Sequence, residues 1–269
     1  MTEESKERAL LAQARAGQRA AVEELLELHE PQIYRFALRM CGAPEDARDV
    51  LQETLLAAFK GLRDFRGEAK LSTWLYQVAR SFCTKSTRRR VGEPPSHDAL
   101  DAPGLEHLAS EAQRSPEAMA HAREIGEVLR AALASLPEPA REVLVLKDVQ
   151  GLPVEEVAEV IGQSVAATKS RLHRARNQLR ERLQGVLGES APSAPCPELA
   201  LELAGYAAGD IDKSTCERME EHMARCPQCT EACDGLKATL KLCSSAEGDE
   251  VPAPIQAAVR QALRAQPMP

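Results

Sequence analysis

The chain has 269 residues, enough for about two to three domains, and carries a net charge of −7 that argues against nucleic-acid binding until it is divided. Lys and Arg outnumber Asp and Glu 16 to 13 through residue 90, trail 1 to 5 over 91–115, balance at 10 each over 116–188 and trail 7 to 13 over 189–269, so local basic strips must carry any DNA contact. No stretch reaches the ~18–20 apolar residues of a membrane span and residues 1–17 lack an apolar signal core, so a cytoplasmic chain with no membrane partner, its eight cysteines metal ligands or reduced thiols, is expected.

Residues 5–41 read as two helices, with apolar stripes at Leu10, Leu11, Ala14 and at Val22, Leu25, Leu26, His29, and a break at Pro31 before Ile33–Leu38. Residues 49–90 then give two amphipathic helices around a Gly-containing corner. The first repeats Val50, Leu51, Thr54, Leu55, Ala58 and Phe59 at helical spacing, which leaves Asp46, Asp49, Gln52 and Glu53 as an acidic polar strip on another face. The second follows the corner DFRGEAKLST, where Ser72 or Thr73 can cap it, and has Trp74, Leu75, Val78, Ala79 and Phe82 as its apolar face. Arg80 and the run Lys85, Arg88, Arg89, Arg90 supply its basic side. Seven of the eight aromatic residues fall between Tyr34 and Phe82. Unpaired bases stack on such rings when cations flank them, but rings at these positions also fill cores. Phe65, set between Arg63 and Arg66 in the polar corner, is the one least suited to a core.

Residues 91–115 have a linker's composition, rich in Pro, Gly, Ser and acid. His97, His107 and His121 show no paired ligand spacing and are expected in solvent. A second helical domain spans 116–188, opening with a helix over 117–134. Within it Val154, Val157, Ala158 and Ile161 form a short support helix that Gly162 can end. A longer helix from Val165 buries Val165, Leu172, Ala175, Leu179 and Leu183. Six Lys or Arg against one Glu lie between Thr168 and Leu183. One basic helix is ambiguous with a solvated face. A short helix, a Gly turn and small residues Ala166 and Ala167 at the next helix start point to a helix-turn-helix, whose second helix, ~24 Å long for ~16 residues, fits a major groove. No strand pattern occurs, so the fold class is all-α.

Residues 189–269 hold six of the eight cysteines. His222 and Cys226 are one helical turn apart, and Pro227 starts a turn that returns Cys229 toward them. A closed tetrahedral zinc site needs a fourth N/S ligand, and Cys196 is the candidate. Cys216, Cys233 and Cys243 remain as additional metal-sensing thiols or as buried core cysteines; Cys41 and Cys83 sit in apolar helical contexts and read as core. Thiolate clusters select zinc, cadmium or copper(I) over hard cations. The Cys226-Pro227-Gln228-Cys229 run would suit a thiol redox protein only in a strand–helix–strand setting, which is missing. A tail helix with Ile255, Val259 and Leu263 on one stripe can pack on the Cys-rich module or on another domain.

The DxxQE block at Asp49–Glu53 and the block FRGEAKLSTWL at 65–75, at this spacing, resemble conserved region 2 of the extracytoplasmic-function (ECF) sigma factors of bacterial RNA polymerase, from about Leu11 to Arg90. The run Thr168-Lys169-Ser170-Arg171-Leu172-His173-Arg174-Ala175-Arg176 is similar to their region 4. HxxxCxxC with an upstream cysteine resembles the zinc-finger anti-sigma domain, and a fused Cys-rich module resembles the CorE-like, metal-switched group. The resemblance implies no catalysis and a division into 1–90 (region 2), 91–115 (flexible linker), 116–188 (region 4) and 189–269 (Cys-rich regulatory module). It implies that Asp46, Asp49, Gln52 and Glu53 dock on the polymerase clamp, and that Phe65, Arg66, Lys70, Trp74 and Arg80 engage the melted −10 strand. Lys169, Ser170, Arg171, Arg174 and Arg176 would contact −35 DNA, and the module would contact the sigma domains within the chain. The lack of a Cys-x-Cys pair puts zinc or cadmium ahead of copper. A module with a purely structural or protein-docking zinc is the alternative.

Overall fold

The computed structural model describes residues 3–67, 69–91, 126–187, 195–245 and 251–267; the expected linker beyond Val91 and His97, His107 and His121 lie outside them, as does the start of the helix expected over 117–134. Every regular element among the described residues is helical. The chain divides into two compact units, residues 1–110 with 248–269, and residues 111–247.

The first unit contains α1 (Glu3–Arg15), α2 (Arg19–Cys41), α3 (Pro44–Gly61), α4 (Leu71–Val91) and, from the chain's end, α12 (Ala253–Arg264). The break expected at Pro31 does not occur. Pro31 lies inside the 23-residue α2, and the chain breaks earlier, at Gly17, whose φ of 82° suits a residue without a side chain. An interior proline costs ~3 kcal/mol or more. Burial of Leu25, Leu26, Ile33, Tyr34 and Phe36, each 1% exposed or less, on both sides of Pro31 outweighs that cost. Helix α3 buries Val50, Leu51, Thr54, Leu55, Ala58 and Phe59, and begins with Pro44 in its first turn. On α4 the buried stripe is rotated from the expected one. Leu71, Leu75, Tyr76, Ala79 and Cys83 face inward, while Trp74, Val78 and Phe82 are half-buried at its edge. Cys83 is buried as expected, and Cys41 is half-buried with its Sγ 3.4 Å from that of Cys83.

The tail helix α12 packs against α3 through Val259 and Leu263. Arg19 holds its C-terminal end by donating to the carbonyls of Leu263 (2.6 Å) and Gln266 (3.0 Å), and Arg260 pairs with Glu27 at 3.0 Å. Cationic groups at a helix C-terminus satisfy its orphan carbonyls and oppose its dipole.

The second unit contains α5 (126–134), α6 (Glu138–Leu144) continuing into a wide π turn (Val145–Val149), α7 (Val154–Ile161), α8 (Val165–Leu187), a 3₁₀ turn (Pro197–Leu199), α9 (Ala200–Ala208), α10 (Lys213–Met223) and α11 (Pro227–Ser245). Helix α7 buries Val154, Val157, Ala158 and Ile161 and ends at Gly162 with φ 68°, the left-handed turn of a helix-turn-helix. Ser164 then caps α8, its Oγ accepting from the N–H of Ala167 at 3.2 Å. Leu172, Ala175, Leu179 and Leu183 are buried beneath α8, and Val165 is half-exposed.

Candidate nucleic-acid interface and metal centre

On the first unit the corner between α3 and α4 is built around Trp74. Its indole lies against Gly61, where an added Cβ would stand 3.1 Å from the ring, so a larger residue there would push the ring back by a few tenths of an ångström. The Phe65 ring sits 5.2 Å from Trp74 at a tilt of 35°, and the Arg15 guanidinium lies 5.7 Å above it while donating to the Phe65 carbonyl. Arg66 and Lys70 are exposed, and Arg80 is half-buried. Two adjacent, tilted aromatic rings flanked by exposed cations give the corner both parts of a single-strand platform. The side chains of Arg88, Arg89 and Arg90 lie outside the described residues. Along α3 Asp49 and Glu53 are exposed and Asp46 and Gln52 half-exposed; Arg48 forks onto Asp49 at 2.9 and 3.1 Å.

On α8 Lys169, Ser170 and Arg174 are exposed and Arg171 half-exposed, with Ala166 and Ala167 open at the helix start. His173 stands in the same row with its Nε2 3.1 Å from the Asn177 amide; burial and the charges of Arg176 and Arg174 lower its proton affinity. Arg176, expected beside them, is placed on the opposite side. Successive residues turn by ~100°, so positions 174 and 176 cannot share a face. Arg176 is 3% exposed and makes a bidentate pair with Asp148 of the π turn at 2.6 and 2.9 Å. It also donates to the Ala204 carbonyl at 3.3 Å and approaches Asp210 at 3.6 Å, while Lys147 binds Asp210 at 2.8 Å. One turn along, Arg180, 5% exposed, donates to the Ala232 carbonyl at 3.1 Å. Sequence reasoning missed this role for both arginines. The signal was present, because 176 and 180 continue the rows of Leu172, Leu179 and Leu183.

Cys196, His222, Cys226 and Cys229 each offer one ligand atom, and these four atoms lie within 4.8 Å of one another. Atoms arranged tetrahedrally at Zn–S ≈ 2.3 Å and Zn–N ≈ 2.0 Å would be separated by roughly 3.5–4 Å, so this donor set fits one thiophilic ion. Cys196 arrives just before the 3₁₀ turn, His222 from the last turn of α10 and Cys229 from the first turn of α11. His222 Nε2 is 3.3 Å from Cys229 Sγ, which also accepts the Cys196 N–H at 3.4 Å. The backbone N–H of Cys229 holds the Cys226 thiol below its usual range, as a helix N-terminus does. Cys196 is pushed up to about 11 by its hydrogen bond to Cys229. Asp212 caps α10 through the Thr215 N–H at 3.0 Å, and α9 is held close by Gly205 facing Ile211. The cluster rests on a small core of Leu203, Met219, Ala232 and Cys233. Among the described residues Cys216, Cys233 and Cys243 are not gathered into this group or into a second one. Cys233 and Cys243 are buried, and Cys216 lies 3.6 Å from Glu220 with its thiol raised by burial.

Comparison with known proteins matches two family models in this order, Sigma-70 region 2 over residues 25–92 and Sigma-70, region 4 over residues 126–179. The ECF RNA polymerase sigma factor SigE of Mycolicibacterium smegmatis is 32% identical over 64% of this chain and 65% of its own length. SigM of Mycobacterium tuberculosis, also an ECF RNA polymerase sigma factor, is 34% identical over 66% of this chain and 84% of its own. A solved structure of CnrH in complex with the cytosolic domain of CnrY aligns over 67% of this chain and 98% of that one, at 26% identity and a TM-score of 0.49. The matched segments coincide with the aromatic corner and with the helix-turn-helix, so the chain belongs to the ECF group of the sigma-70 family of RNA polymerase sigma factors.

Proposed function

We propose that this sigma factor directs promoter-specific transcription initiation under the control of a metal ion, zinc or cadmium ahead of copper, held by Cys196, His222, Cys226 and Cys229. The observation that carries the metal reading is the convergence of those four donors within 4.8 Å. Three thiolates and one imidazole form a soft, closed set that a bound thiophilic ion would stabilise by neutralising charge and tying α10, α11 and the segment before α9 together. The chain's own residues do the rest. Asp46, Asp49, Gln52 and Glu53 dock on the clamp of the polymerase largest subunit. Phe65 and Trp74 receive bases of the opened −10 strand, with Arg66, Lys70 and Arg80 bracing its phosphates. Lys169, Ser170, Arg171 and Arg174 meet the −35 duplex; Arg176 is left out because its guanidinium is committed to Asp148. No helix among the described residues is long and apolar enough to cross a membrane, which suits a factor working beside polymerase in the cytoplasm.

One observation favours a second reading, a structural or protein-docking zinc: the site already has four ligands, and Cys216, Cys233 and Cys243 stand apart from it. The test is transcription by reconstituted holoenzyme on a pool of genomic fragments, mapped by RNA 5′ ends. Under the metal-control reading, Cys229→Ser fixes output at the metal-free level for every metal tried. Under the structural reading, wild-type output does not follow metal concentration and Cys229→Ser lowers it only through loss of folded protein.

A further inference from the structure

The buried arginines of α8 join the metal-binding module to the helix that carries the −35 cations. Arg180 donates to the carbonyl of Ala232, which lies between Cys229 and Cys233 on α11 and within one turn of a metal ligand. Arg176 donates to Ala204 on α9, and its partner Asp210 sits in the turn just before Asp212, the cap of the helix that ends in His222. Both module elements that grip α8 therefore continue directly into metal ligands. The opposite side of α8, with Lys169, Ser170 and Arg174, is left open. The module thus braces the DNA-reading helix from behind and does not cover its cations.

We propose that Arg176 and Arg180 are positioning residues that couple the metal site to α8: the ion fixes the first turn of α11 and the end of α10, and the two arginines carry that order into the recognition helix. This rests on metal binding by the four-residue cluster and deepens it. Coupling between two sites is reciprocal and commonly amounts to between about 5-fold and 150-fold. Its carrier here is a continuous set of buried polar contacts whose loss leaves the outer face of α8 chemically unchanged.

The experiment is hydrogen–deuterium exchange on the full chain, metal-free and with Zn²⁺, for wild type and Arg180→Met. Methionine keeps most of the side-chain length and apolar stem, and Ala232 keeps its helical acceptor bond, so the variant has no stranded carbonyl. Co²⁺ substitution, read by its thiolate charge-transfer absorption, reports whether each protein still forms the site. The proposal expects Zn²⁺ to slow exchange in both α10–α11 and α8 of the wild type, by at least about 5-fold in α8. In Arg180→Met the α10–α11 response and the Co²⁺ spectrum persist while the α8 response is lost. Arg176→Met combined with Asp148→Asn, which avoids an unpaired buried carboxylate, gives the same loss. Zn²⁺ slowing α10–α11 of the wild type without reaching α8 overturns the proposal, as does an α8 response that survives both variants. If Zn²⁺ changes no segment and Co²⁺ gives no spectrum, the metal site itself is absent and this proposal falls with it. Failure of transcriptional control alone shows differently, as coupled exchange with flat output.

Discussion

Single side chains decide how this factor presents its surfaces. Arg176 and Asp148, each with a side chain 4% exposed, form a bidentate buried pair. Removing one member of such a pair strands the other charge and typically costs about 3–5 kcal/mol, whereas replacing both by neutral groups costs far less. Arg176→Met should therefore lower the unfolding free energy of the second unit by roughly that amount, and adding Asp148→Asn should restore a good part of it. Urea titrations followed by circular dichroism check this. Gly61 makes the analogous point in apolar packing. A Cβ there would stand 3.1 Å from the indole, so the branched Gly61→Val should push Trp74 aside, shift the emission of this sole tryptophan and destabilise the first unit by about 1–3 kcal/mol. Unchanged emission would contradict the packing. Burial holds His29 at a pKa of about 4, below the ordinary histidine value of about 6.5. As pH falls below 6.5 the unfolded chain takes up a proton that the folded one refuses, so this contribution is intact above 6.5 and is lost progressively down to about 4. The loss reaches roughly 3 kcal/mol. Unfolding of the first unit, followed by Trp74 fluorescence at pH 7 and pH 5, should show this pH dependence in wild type and not in His29→Leu.

At the scale of elements, helical periodicity made most of the fold legible. The stripe Val50–Phe59, the support helix Val154–Ile161 and its glycine turn stand where the spacing puts them. Three features were hidden for definable reasons. Pro31 reads as a breaker by its own propensity, and only the buried length of α2 on either side overrides it. The inward stripe of α4 is rotated because Trp74 is held at the corner by Gly61 and Phe65, a tertiary contact that no local window contains. Arg176 and Arg180 look like DNA cations by residue type, and their helical rows show otherwise. The four-residue Cys/His cluster was legible because HxxxCxxC fixes three of its members locally, while Cys196 had to be brought in by the fold. The tail helix had two candidate partners in the sequence, and the structure places it on α3. Leu263→Asp, which puts a charge into a site 3% exposed, should release α12 and lower the unfolding free energy of the first unit by about 2–4 kcal/mol, read by Trp74 fluorescence. A variant as stable as wild type would show that α12 adds nothing to that unit.

For the whole molecule the acidic total charge conceals a division of labour. Basic groups are exposed at the aromatic corner of the first unit and on one side of α8, while the acidic C-terminal third supplies a Cys/His cluster that could hold a metal, in a module joined to α8 from behind. Phosphate contacts made by Lys169, Arg171 and Arg174 would make promoter affinity fall with salt, by about one unit of log–log slope per cation. Replacing Arg174 by Gln should reduce that slope by about 1, whereas Arg180→Met should leave it unchanged. The central claim is that metal occupancy governs initiation. Its most direct test is transcription by reconstituted holoenzyme, using metal-free protein titrated in turn with Zn²⁺, Cd²⁺ and copper. The account predicts that output changes steeply over the range in which one metal fills the four-residue site, and that Cys229→Ser removes the change. Output that stays flat at full activity while the site fills would contradict it.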